Sequence, residues 1–326
     1  MKATELKIAL VGVGHWHVPL YVNGLGGMHV VAVSDNREDI AQDCAQRIGC
    51  PYYTDYRKLV EIEKPDFVFA FAPHGEMKSL SLYLIENGLP FSMEKPMGLN
   101  LDEVQEVAEA AEKNNAFIAI PFVWRYSDTV QQLKERILNT RIVHLSFKFV
   151  AGPPSRYLAT SEWMLSHKIA GGGCMTNLGV HFLDMALYLT DSVGAEVRSS
   201  LYQYGKEYDI ELYASSMLKM STGASLLLET GYAYPMDNRA KRENRWTIVT
   251  ENGYYTLADN KLEAREYGKP VVTVALNTDS DVYYPIFVQA TLDDFVNGCK
   301  PRASIREMLT VRSILDQMNQ AQIGLH

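Results

Sequence analysis

The sequence predicts two domains: an α/β doubly wound parallel sheet, then a C-terminal α+β domain with a large, mostly antiparallel open sheet. In the first half, short apolar runs alternate with stretches of helical period, the pattern of buried strands joined by covering helices. From Arg141 onward the runs lengthen, and several alternate apolar with polar residues, as a sheet with one covered face does. A length of 326 residues exceeds what one core ordinarily organises, and the change of pattern sets the division at 1–122 and 123–326.

The strands expected in the first half are 6–11, 30–33, 67–72, 90–94 and 117–120, nearly continuous in apolar residues. Between them Ile40, Cys44 and Ile48, with Ala41 and Ala45, form a helical stripe that Gly49 ends. Asn100 followed by Glu103 is a capping-box pair, and it opens a helix whose stripe is Leu101, Val104, Ala108 and Ala111. In the second half the strand-like runs are RIVHLSFKFV, AEVRSSLYQY, LYASSMLKMS, GASLLLETGY and WTIVTENGYYTL. Helices at 177–189, 287–296 and 305–318 are available to cover one face. Tyr202, Tyr204, Tyr213 and Met217 are candidates for the other face, which is more apolar than solvation requires and suits a subunit contact.

Composition excludes several partners. The net charge of −8, with no basic stripe, argues against nucleic acid. No apolar run approaches the roughly 20 residues that span a bilayer, and the N-terminus carries no charged-then-apolar signal region. Cys44, Cys50, Cys174 and Cys299 lack C-x-x-C spacing, so neither a zinc knuckle nor a disulfide framework is expected. A reducing, cytoplasmic location follows as the simplest expectation. Hydrophobic residues at 47% and charged residues at 21% predict a globular chain throughout.

The first strand ends in VGVGHWHVPLY, residues 11–21. A G-x-G-x-x-G loop uses its third glycine for close packing of the next helix on the strand, and here His17 holds that position. Proline is best tolerated in the first helical turn, so Pro19 moves the helix start to near Val18. The amides around Gly12, Gly14 and His15 then remain available to a pyrophosphate. Asp35 ends the second strand where a carboxylate accepts hydrogen bonds from ribose hydroxyls, which favours NAD; Arg37 nearby keeps NADP possible. His15, Trp16 and His17 invite a metal reading, but two histidines without a carboxylate or thiolate partner make a poor site, and no metal is expected. An aromatic lining beside nicotinamide or substrate is the preferred role.

After the fourth strand comes FSMEKPMGLNLDEV, with Glu-Lys-Pro at 94–96. This segment resembles the signature of the Gfo/Idh/MocA oxidoreductases. FVWRYSDTVQQLKERI resembles the family's Arg-aromatic entry to the second domain. AGGGCMTNLGVHFLDMALYL resembles its Gly-Gly-Gly to His-x-x-Asp helix, and FVQATLDDFVNGCKPRASIREMLTVRSIL its closing helices. The resemblance implies a Rossmann-type first domain, an open-sheet second domain and a homodimer or homotetramer built through that sheet. It further implies that Ala72, Pro73, His74, Glu94, Lys95 and Arg125 border the cofactor, and that Trp16, Lys95, Trp163, Asn177 and His181 border a sugar or polyol substrate. Three positions depart from the family: Asn177 stands for aspartate, Met77 for histidine and Asp128 for proline.

Hydride transfer from an alcohol carbon leaves a proton on oxygen, which needs a base. Lys95 stands where a switch-point strand delivers side chains into the crevice. Asn177, His181 and Asp184 fall at i, i+4 and i+7 on one helix, so Asn177 can orient His181 towards the oxygen that Lys95 serves. An amide lends His181 no charge, so proton transfer falls more heavily on Lys95. Two other functions compete: a nucleotide-sensing protein that has lost catalysis, which Asn177 favours, and an NAD-dependent glycosidase.

Overall fold

The structure, a computed structural model, describes residues 2–235 and 241–325. The chain divides into two compact units: Met1–Pro121 with Ala159–Trp163 and Asp281–Leu309, and Phe122–Leu158 with Met164–Ser280 and Thr310–His326. Two continuous stretches meeting at Phe122 therefore omit two returns of the chain to the first unit, and the second return ends inside the helix Ile305–Gln320.

Among the described residues, the first unit holds a six-stranded sheet of β1 (Lys7–Val11), β2 (His29–Ser34), β3 (Tyr52–Tyr53), β4 (Phe67–Ala70), β5 (Phe91–Met93) and β6 (Ile118–Ala119). Every pair is parallel, in the order β3-β2-β1-β4-β5-β6. The runs read as doubly covered are so: β4 and β5 are buried at every residue. Helices α1 (Val18–Gly24), α2 (Glu38–Ile48), α3 (Tyr56–Glu63), α4 (His74–Glu86) and α5 (Leu101–Asn114) form the crossovers. The cap read at Asn100 is present: its side chain accepts from the Glu103 amide at 3.0 Å, while Glu103 Oε2 accepts from the Leu99 amide at 2.8 Å. The helix Tyr284–Val296 returns to pack on α1, where Tyr21 meets Phe287 edge-on at 5.9 Å.

The second unit holds β7 (Ile142–Ala151), β8 (Ala195–Tyr204), β9 (Glu211–Met220), β10 (Ser225–Gly231), β11 (Arg242–Thr250), β12 (Gly253–Ala258), β13 (Lys261–Glu266), β14 (Val272–Ala275) and β15 (Gln322–Leu325). They form a sheet in the order β14-β13-β12-β11-β7-β10-β9-β8-β15. Its pairs are antiparallel except β7 with β10 and β8 with β15. WTIVTENGYYTL, expected as one run, is two strands paired about Glu251 and Asn252, because Asn-Gly is turn chemistry. The covered face is built on Trp246, fully buried and edge-on to Trp124 at 4.7 Å and Phe147 at 6.0 Å.

The expected outer face needs correction. Tyr202 lies on the covered side at 2% exposure, its hydroxyl donating to Asn319 Oδ1 at 3.0 Å. Tyr204 donates to Gln322 of β15. The β8 register sets Tyr202 beside the buried Ala214 and Tyr204 beside the buried Glu211, not beside Tyr213 and Met217, because side chains alternate along a strand. The open face carries Tyr213 and Met217 as expected, together with Leu201 and Tyr254.

Candidate active site

The sheet order of the first unit changes direction between β1 and β4, where the loops at the strands' carboxyl ends part to leave a crevice. Gly12 leaves β1 at φ +81, and a Cβ there would fall 1.9 Å from the Phe71 carbonyl oxygen, so only glycine fits this crossing. Helix α1 begins at Val18 with Pro19 in its first turn and His17 as the residue before it. The helix start inferred from Pro19 is the observed one. The crevice is a cavity of about 550 Å³ whose walls include Gly12, Gly14, Asp35, Arg37, Ala72 and Pro73. A glycine-lined turn at a helix N-terminus, with a carboxylate at the end of β2, fits a dinucleotide.

Asp35 and Arg37, read as opposing cofactor signals, form one cluster. The Asp35 carboxylate, 8% exposed, accepts from the Gly14 amide at 2.7 Å and the Arg37 amide at 3.0 Å. The Arg37 guanidinium pairs with it at 3.5 Å while remaining 48% exposed.

Lys95 follows β5 and is buried, its Nζ 5.8 Å from the centre of the Trp16 ring. His15 stacks on Trp16 at 3.9 Å, Trp163 stands 6.0 Å from Trp16, and His74 meets Trp163 edge-on at 4.8 Å. Residues 15, 16, 74, 95 and 163, far apart in sequence, thus make one aromatic wall around an amine. Beneath it lies a network with no sequence signal. Glu94 Oε1 accepts from the Tyr21 hydroxyl at 2.9 Å and meets His17 Nδ1 at 3.0 Å, and the Tyr284 hydroxyl lies 3.1 Å from the same nitrogen. His17 in turn donates its amide to His15 Nδ1 at 3.2 Å.

Burial alone would raise the Glu94 carboxyl, but His17, His15 and Lys95 outweigh it and hold it far below the usual carboxylate range. His15 is held well below its ordinary 6.5, by burial first and against the pull of Glu94, so it is neutral near pH 7. The structure also supplies the carboxylate whose absence argued against a metal: His15, His17 and Glu94 offer ligand atoms within 4.8 Å of one another. The His17–Glu94 contact and the two tyrosine hydroxyls account for this grouping as a hydrogen-bonded cluster.

The second unit places the remaining candidates. Gly173 has a steric reason, since a Cβ there would lie 2.3 Å from the Glu211 carbonyl oxygen. The Glu211 carboxylate accepts from the amides of Gly173 at 2.6 Å and Met175 at 3.0 Å, capping the helix that follows. That helix starts as a wide turn, Met175–Gly179, before the regular Val180–Thr190, so the i, i+4, i+7 reading does not apply unchanged. Asn177 is buried, and its amide donates to the hydroxyls of Tyr157 and Tyr232, both at 2.9 Å. Neither tyrosine was singled out from sequence. His181 is half-buried, its ring 6.3 Å from that of Phe122. Arg125, expected at the cofactor, is held by Asp184 through two bonds of 2.9 and 2.7 Å.

A parallel dinucleotide crevice in one unit and a broad open sheet in the other define a class of two-domain oxidoreductases that bind a nicotinamide dinucleotide. The chain belongs to the Gfo/Idh/MocA family: residues 6–122 match its oxidoreductase, NAD-binding Rossmann domain and residues 130–256 its C-terminal domain. It is 25% identical over 255 residues to D-glucoside 3-dehydrogenase of Escherichia coli (strain K12), covering 72% of each chain. It is 23% identical over 309 residues to the rhizopine catabolism protein MocA of Rhizobium meliloti, covering 91% of this chain and 87% of that one. The fold is shared with levoglucosan dehydrogenase solved with NADH and levoglucosan, at TM-score 0.85 and 16% identity over 97% of this chain and 96% of that one. Among the described residues no helix is long and apolar enough to cross a membrane.

Proposed function

We propose that the chain moves a hydride between NAD and a secondary hydroxyl of a sugar, polyol or related cyclic substrate, with Lys95 transferring the proton. The observation that carries this reading is a buried lysine at the carboxyl end of β5, beside the switch-point crevice and walled by Trp16. The names of the glucoside and levoglucosan dehydrogenases support the substrate class. The turn at Gly12, Gly14 and His15 spends its amides on the Ser34 carbonyl, the Asp35 carboxylate and the Gly12 carbonyl, so it borders the pyrophosphate by the close approach its glycines allow; Asp35 meets the adenosine ribose, and Ala72 and Pro73 flank the crevice. When bound, NAD supplies the hydride acceptor.

The chain's own residues do the rest. Lys95 holds the substrate hydroxyl and takes its proton, while Trp16, His15, His74 and Trp163 exclude water. In the second unit Asn177 is fixed by the hydroxyls of Tyr157 and Tyr232. Because Asp35 disfavours a 2′-phosphate, NAD is preferred to NADP. The four unpaired cysteines fit a reducing, cytoplasmic setting. Asn177 in place of aspartate favours a second reading, cofactor sensing without turnover.

Lys95→Met is the test. General acid-base groups contribute about 10²- to 10⁴-fold, so turnover should fall by that factor while NAD affinity, measured by calorimetry, stays within a few-fold of the parent. Turnover at the parental rate would remove Lys95 from the mechanism.

A further inference from the structure

Most backbone donors of the turn after β1 are engaged within the chain. Gly12 and Val13 both donate to the Ser34 carbonyl, at 2.7 and 3.2 Å, and Gly14 donates to Asp35 Oδ2 at 2.7 Å. His15 donates its amide to the Gly12 carbonyl at 3.2 Å, and Val18 donates to the His15 carbonyl at 3.1 Å. An anion that leaves water for such a turn needs a donor of another kind, because a desolvated charge left unpaired is costly.

The His15 side chain has one to give. Its ring lines the crevice at 6% exposure, and every residue around that crevice belongs to the first unit. Because α1 begins only at Val18, the His17 amide lies outside the helix, and it donates to His15 Nδ1 at 3.2 Å. A ring nitrogen that accepts carries no proton, so a neutral imidazole in this setting bears its proton on Nε2. Burial keeps the ring neutral near pH 7. Nε2 makes no hydrogen bond among the described residues and is not fully buried. Stacking on Trp16, 3.9 Å away and inclined by 24°, with Phe71 at 5.7 Å, holds the ring and so the direction of the N–H.

We propose that His15 Nε2–H donates to the pyrophosphate of the bound dinucleotide, a side chain doing here what backbone amides do in an ordinary glycine-rich turn. The inference rests on the dinucleotide reading of the crevice and is independent of hydride transfer. The competing donor is Arg37, whose Nη2 would lie 2.0 Å from a Cβ on Gly14, but its guanidinium is engaged with Asp35 at 3.5 Å.

NAD and ADP-ribose should be titrated calorimetrically into the parent and three variants. His15→Phe keeps a ring for the stack but has no N–H, and should weaken both ligands about 10- to 100-fold, the range for a hydrogen bond to a charged group. His15→Gln, whose amide carries an N–H at a similar reach, should recover part of the loss, and Arg37→Gln should weaken both ligands less than His15→Phe does. In the parent labelled with 15N-histidine, proton–nitrogen correlation spectra at pH 7 should show the His15 proton on Nε2, with that resonance moving when ADP-ribose is added. Parental affinity in His15→Phe, equal losses in His15→Phe and His15→Gln, a loss at least as large in Arg37→Gln, or a proton on Nδ1 would each overturn the proposal. A parent that binds neither ligand would remove the dinucleotide reading with it. Binding that depends on His15 while no alcohol yields NADH would leave the proposal standing and remove hydride transfer; alcohol oxidation with full NAD affinity in His15→Phe would do the reverse.

Discussion

His15 shows how one buried ring links folding to pH. It is held well below 6.5 in the folded chain, so between the two values the unfolded state binds more protons and stability rises with pH. Stability should therefore be full above about pH 6.5 and fall as pH drops through that value, with part of the slope removed in His15→Gln, as urea unfolding at several pH values would show. A slope identical in both proteins would exclude His15 as its source. His17 is a second case. Its ring nitrogen lies 3.0 Å from the fully buried Glu94, and leaving a buried polar group without its hydrogen-bond partner ordinarily costs about 1–3 kcal/mol, more for a charged one. His17→Phe should approach roughly 3 kcal/mol of destabilisation in the same assay, and His17→Gln, which keeps a donor, clearly less. At this scale Gly12, Asp35 and Lys95 were legible because a local pattern announces each. The partners of Glu94 were not, since Tyr284 reaches His17 across 267 residues of sequence and carries no local mark.

The elements were legible where burial writes a pattern. The buried strands of the first sheet read as apolar runs, and α1 announced its start through Pro19. β13, with sequence KLEARE, alternates apolar and charged residues but is dominated by charge, and β3 has only two residues, so neither stood out. The turn after β1 offers a sharp test. Gly12→Ala would place a methyl group against the Phe71 backbone in a left-handed conformation, a cost of about 2 kcal/mol or more. Gly14→Ala meets chiefly the far end of the Arg37 side chain, at 2.0 Å, which can move. Thermal unfolding should therefore show Gly12→Ala much the less stable of the two, and equal stability would contradict the tight crossing of β1 and β4.

In the whole molecule, a composition without basic stripe or long apolar run argued against nucleic acid and membrane as partners, while the oxidoreductase family was read from four motifs in order and is the one the chain matches. Leu201, Met217 and Tyr254, each more than a third exposed on one sheet face, motivate association through that face. Light scattering at micromolar concentration should give at least twice the mass of one chain, with roughly 1,000 Å² or more buried, and Met217→Lys should shift the balance towards the monomer. A monomeric parent would contradict it. The claim that the chain transfers hydride rather than only holding its cofactor is tested most directly with an isotope. Acidic and neutral sugars deuterated at their carbinol carbons should be incubated with the protein and NAD, and the nicotinamide examined by mass spectrometry. Deuterium appearing on the reduced nicotinamide, at a rate lowered by the label and lost in Lys95→Met, is the expected result; cofactor that binds yet stays oxidised across the whole panel would contradict it.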